Sequence, residues 1–142
     1  MGLKIKKLII ILILVFPVMI LGQKERNKFV EGNAGIASVD DYSFSWPIPG
    51  CSILYGETYS NDGLVTEWQL GLAFPTVATA KLFVGGGNLE NNIGIGIRPW
   101  PFFVGPQAKI GRVSFSFEVG TNDTPSFEAG LIATMGYRWT IK

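Results

Sequence analysis

Among the 142 residues, those with the most chemical reach are carboxylates set between strand-forming apolar residues, above all Glu67 and Glu128. Two carboxylates can act as general acid and base when one is held protonated and the other ionised, as in glycoside hydrolysis. The same groups can instead be counter-charges for the bases Lys81, Arg98, Lys109, Arg112 and Arg138, and that reading is preferred. The chain has no His, which removes the usual neutral-pH base and with it any Ser–His or Cys–His nucleophile. Cys51 is the only cysteine, so an intramolecular disulfide framework and a multi-cysteine zinc site are both excluded; it reads as a small apolar residue. Gly85-Gly86-Gly87 and Gly94-Ile95-Gly96 lack the Lys-Ser/Thr ending and the strand-to-helix setting of a phosphate loop. No catalytic residue, no metal and no cofactor is therefore expected, and a hydrolase built on Glu67 and Glu128 ranks third among the functional readings.

The elements that must carry these charges are strands. Hydrophobic residues make up 47% of the chain and charged ones only 16%, a balance that argues against disorder and, with a net charge of +1, against a nucleic-acid partner. From Phe29 onward no helical period is sustained. Period-two alternation recurs instead, punctuated by Asn61-Asp62-Gly63, Gly85-Gly86-Gly87-Asn88 and Thr121-Asn122-Asp123-Thr124-Pro125. Val113, Phe115, Phe117 and Val119 alternate with Ser114, Ser116, Glu118 and Gly120. Ile93, Ile95 and Ile97 alternate with Gly94, Gly96 and Arg98. Further segments follow the same rule, with Trp68, Leu70, Leu72, Leu131 and Met135 on the apolar side. Pro106 implies a bulge, an edge or a late strand start, Phe83 and Ile132 stand on the polar side, and Glu57 stands on the apolar one. Eight strands result, with Tyr42 to Trp46 a candidate ninth.

Alternation alone fits a soluble barrel with its apolar face inward or a membrane barrel with that face toward lipid. The polar face decides. It holds Gly35, Gly56, Gly71, Gly85, Gly94, Gly96, Gly105, Gly120, Gly130 and Gly136, ten of the eighteen glycines, where a solvated sheet would carry Thr, Lys, Glu or Ser. A narrow barrel interior must alternate small and large residues to fill itself. The same rows collect Glu31, Glu67, Glu118 and Glu128 with Lys81, Arg98, Lys109, Arg112 and Arg138, an ionic network in which buried charges compensate one another. Against lipid stand Trp68, Leu70, Leu72, Ile93, Ile95, Ile97, Val113, Phe115, Phe117, Leu131 and Met135, a face almost free of charge, as the cost of a lipid-facing Lys or Arg demands. Tyr42, Phe44, Trp46, Trp100, Phe102, Phe103, Tyr137 and Trp139 fall near strand ends, as interfacial aromatics do, and Arg98-Pro99-Trp100-Pro101-Phe102-Phe103 makes a stiff aromatic connector.

Residues 1–22 read as an export signal, with Lys4, Lys6 and Lys7 ahead of the apolar run Leu8 to Leu21; residues 23–28 form a short lead-in and 29–142 the barrel domain. Without the signal, nine Lys and Arg face eleven acids. The signal, the alternating strands and the closing Gly136-Tyr137-Arg138-Trp139 resemble the small outer-membrane β-barrels of Gram-negative bacteria, the OmpA and OmpX kind. That resemblance covers Phe29 to Ile141 and implies an all-β, antiparallel up-and-down transmembrane β-barrel of about eight strands, located in the outer membrane, monomeric, with the bilayer as its partner and a structural or adhesive, non-enzymatic role. The alternative is an exported soluble barrel of lipocalin-like shape, periplasmic or secreted, holding an apolar ligand against Trp68, Phe115 and Phe117.

Overall fold

The computed structural model describes residues 10, 25–38, 47–74, 77–99, 102–121 and 129–142. Apart from Ile10, the expected export signal lies outside these, as do Tyr42 to Trp46, Trp100 and Glu128. The described chain is all β. Its strands are β1 (Glu25–Ser38), β2 (Ile48–Asn61), β3 (Leu64–Phe74), β4 (Val77–Gly87), β5 (Asn91–Pro99), β6 (Phe102–Ile110), β7 (Val113–Thr121) and β8 (Ala129–Ile141). Each pairs antiparallel with the next, and β8 pairs with β1, so the eight strands close into a barrel with no free edge.

The hairpins show why the chain turns where it does. Asn61 pairs with Leu64, and the two residues between them, Asp62 and Gly63, have φ of 49° and 87°, the type I′ geometry whose twist matches paired strands. Ile110 pairs with Val113 around Gly111-Arg112, where only Gly111 has a positive φ, 59°, the II′ pattern. Both turns, the Asn88 turn, the start of β1 and the end of β8 lie at one end of the barrel, called here the terminus end. Strands β1, β3, β5 and β7 finish at the other, the loop end.

Pro106 occupies an interior strand position, pairing with Ile95 of β5. Its missing N–H falls on the β7 side, where the ladder lapses between Val104–Val119 and Gln107–Ser116. A closed barrel has no edge to give a proline, so the lapse takes the place of the edge or late start that the sequence suggested.

Alternation along each strand puts one row inside and one outside. Glu67, Glu118, Thr58 and Leu54 are at most 1% exposed, whereas Leu72, Ile93 and Ile110 are 63–68% exposed. The ten glycines of the polar rows all face inward, and the space around them is already taken. A Cβ on Gly94 would collide with Gly85 Cα across the strand pair, and one on Gly96 would lie 2.9 Å from Lys81 Cε. Substituting Gly94 by Leu is expected to abolish refolding measured by far-UV circular dichroism, while Ile95→Leu, on the outer face, leaves the refolded fraction unchanged.

Candidate functional site

The inward rows assemble two ionic clusters. Toward the terminus end, Arg138 of β8 pairs with Glu31 on the neighbouring β1 through its Nε and reaches across the lumen to Glu67 of β3. Its Nη1 and Nη2 donate to Glu67 Oε2 and Oε1 at 2.6 and 2.7 Å, the bidentate fork that suits guanidinium to carboxylate. Thr58 Oγ1 donates to Glu67 Oε2 at 2.6 Å and Gln69 Nε2 to Oε1 at 2.5 Å. Each oxygen of Glu67 thus accepts two hydrogen bonds, which fills the lone pairs of a carboxylate. The Phe29 ring covers the guanidinium, with Arg138 Cζ 4.0 Å from the ring centroid, a cation–π contact sheltered from water.

Toward the loop end, Glu118 of β7 takes two cations. Lys81 Nζ of β4 lies 2.6 Å from its Oε1, across the lumen, and Arg98 Nε of β5 lies 2.5 Å from its Oε2. Arg98 Nη1 also donates to Thr79 Oγ1 at 2.8 Å. Lys109 stands apart from both groups at the terminus end, its Nζ donating to the carbonyl of Leu89.

Of the residues expected in one ionic network, Glu31, Glu67 and Arg138 form one cluster and Lys81, Arg98 and Glu118 another, while Lys109 is buried but makes no ion pair with either. Glu128 lies outside the described residues. Arg112 departs from the expectation: it sits exposed in the Gly111-Arg112 turn, and its Nη1 donates to Tyr137 Oη at 3.3 Å. It keeps the phase of β7, but a two-residue turn ends the alternation that phase depends on. Phe103, expected at a strand end among interfacial aromatics, points inward and is 2% exposed. Phe102 beside it takes the outer row.

Sequence reasoning missed most of the large apolar side chains inside, namely Phe29, Leu54, Val65 and Phe103. Phase alone could have found Leu54, which stands in one row with Ser52, Gly56 and Thr58. The outer row contains every expected lipid-facing residue: Trp68, Leu70, Leu72, Ile93, Ile95, Ile97, Val113, Phe115, Phe117, Leu131 and Met135, all exposed or half-exposed. Among the described residues, outer Tyr137 and Trp139 meet edge-on near the terminus end, and Tyr55 meets Trp68 edge-on further along the wall, with ring centroids 5.1 and 5.8 Å apart.

A cavity of about 50 Å³ opens at the loop end, lined among others by Asn33, Ser52, Arg98, Ile132 and Thr134. It has room for water but lies well below the roughly 300 Å³ at which small-molecule sites begin. Among the described residues, no group of three or more acidic, Cys or His side chains is placed to hold a metal ion. Comparison with known protein families, curated proteins and solved structures finds no match to this chain.

Removing one partner of a buried pair strands the other charge. Arg138→Met, which leaves Glu31 and Glu67 facing each other, is expected to cost roughly 3–5 kcal/mol of unfolding free energy in denaturant titration. Arg112→Gln, at an exposed turn, should leave the midpoint where it is.

Proposed function

We propose that this protein is a membrane-spanning β-barrel of the outer-membrane kind, exported by its N-terminal segment, with a side-chain-filled lumen and a structural or adhesive role exercised through the bilayer and the loop end. The observation that carries the reading is the inverted polarity of the barrel. Among the described residues its interior holds three acids and four bases, each at most 7% exposed, while Leu70, Leu72, Phe74, Ile93 and Ile110 on the wall are 58–68% exposed.

Water would penalise that wall, because large contiguous apolar surface is buried in soluble monomers. Acyl chains remove the penalty. In hydrocarbon every backbone polar group must be satisfied within the protein, and a closed ladder does so. The exposed Tyr and Trp of the terminus end, with Arg112 and Lys28 close by, suit the headgroup level, where amphipathic rings and long cationic side chains settle.

The lipocalin-like alternative calls for an apolar cup that opens to water. The lumen found here is crossed by ion pairs at two levels, and Trp68, Phe115 and Phe117, the residues that would hold its ligand, lie on the outside. A hydrolase built on Glu67 would need a lone pair free for a substrate proton, and all four of its acceptor positions are engaged.

Reconstitution into vesicles followed by labelling with a hydrophobic carbene reagent tests the proposal. Ile95, Phe115 and Leu72 should be labelled, and Ser116 and Glu118 spared. A mature protein that stays monomeric in water without amphiphile would refute it. In planar bilayers the filled lumen should pass no steady ionic current of the size an open porin gives.

A further inference from the structure

We propose that the outer face of β1 and β2 at the terminus end is a binding site for the headgroup of a phospholipid carrying both a phosphate and a primary ammonium. The inference rests on the membrane reading above and adds a lipid class to it. Glu57 is the one acidic side chain in the outer rows of the described strands, and it is 9% exposed although it faces away from the lumen. Lys28 stands directly across the strand pair, and Arg26 across from Tyr59. The Tyr59 hydroxyl donates to Glu57 Oε2, which orients the carboxylate, and the Trp68 indole lies beside the same phenol. Lys28 Nζ is 3.8 Å from Glu57 Oε1, beyond hydrogen-bond length, so Lys28 does not fill the acceptor capacity of Oε1. The Lys28 side chain is 43% exposed, and Arg26, two residues before it in the same outer row, is exposed as well.

The patch therefore offers cationic donors and an oriented anionic acceptor side by side, at the level where Tyr55 and Trp68 meet edge-on. A phosphate seated on Lys28 and Arg26 brings the ammonium of the same headgroup within reach of Glu57, as a charge-assisted hydrogen bond. An anionic lipid without the ammonium would meet Glu57 as a like charge. A trimethylated headgroup has no N–H to donate. The opposite wall at the same end presents Ile93, Ile110 and Val113 in its outer rows, so the site belongs to one side of the barrel.

The test is lipid retention by the full-length protein. Barrels inserted in vesicles of equal phosphatidylcholine and phosphatidylethanolamine are extracted gently and analysed by native mass spectrometry. Retained ethanolamine lipid should exceed the bulk ratio by about threefold, the scale of one partly exposed ion pair. Glu57→Gln should return the ratio to bulk, and Lys28→Gln should lower total retained phospholipid. Stepwise N-methylation of the ethanolamine lipid, offered to the unmutated protein, should erode the enrichment and needs no variant to fold. Inserted barrels that retain the two lipids equally, or keep their preference in Glu57→Gln, would overturn the inference alone. Failure to insert at all would overturn the membrane reading with it.

Discussion

The constraint on which this structure depends is the width of an eight-strand barrel. Its interior is just wide enough to be filled by side chains, and here the filling is done by ion pairs that span it. Arg138 reaches from β8 to Glu67 on β3, and Lys81 from β4 to Glu118 on β7, so each bridge joins strands that share no ladder. Long side chains can cross only where the positions beside them are empty. Gly136 lies where a Cβ would come 2.9 Å from Glu31 Oε1, Gly96 beside Lys81, and Gly120 and Gly130 against the Phe103 ring. The glycines weaken the strands that contain them and are the condition for the bridges. Glycine rows and charge rows are one device seen from two sides.

Burying seven ionised groups is costly unless each finds partners. Partners come from the ladder itself: Glu31 opposes Arg138, and Thr58 opposes Glu67, so closing the barrel in register brings acid to base. A slip of one residue would turn the charges toward the outer wall, where in lipid each Lys or Arg costs about 2–4 kcal/mol at mid-depth. The ionic core thus contributes less to net stability than to the choice of one register over its neighbours. Phe29 and Val65 toward the terminus end and Phe103 toward the loop end are nearly fully buried, and such apolar groups keep water from competing for the pairs.

How much of this was legible follows from what period two encodes. It encodes face, so Glu31, Glu67, Lys81, Arg98, Lys109, Glu118 and Arg138 could be placed together without knowing any neighbour, and Leu72, Ile95 and Phe115 placed opposite them. It does not encode partners: that Arg138 meets Glu67 depends on closure between β8 and β1, a long-range fact with no local trace. Nor does it survive a turn, which is why Arg112 was misplaced. Phe103 was misread for another reason. Nearness to a strand end says nothing about which side of the wall a ring takes, and the phase Phe103 shares with Gly105, Gln107 and Lys109 was the better guide.

The same geometry limits where activity can reside. A carboxylate that accepts four hydrogen bonds gives up a lone pair only if Thr58, Gln69 or the Arg138 fork lets go, and opening the fork leaves Arg138 and Glu67 each partly unpaired in a confined space. Ion pairs held in this way make poor proton carriers and poor conduits, because the interactions that would have to break are the ones that fill the barrel. What remains adaptable is the boundary. On the outer wall Glu57 and Lys28 keep a charge pair that the lumen never needed for its own balance. A charged pair on an otherwise apolar wall is disfavoured unless something polar meets it there, so on the proposed membrane reading Glu57 belongs at the depth where hydrocarbon gives way to headgroups.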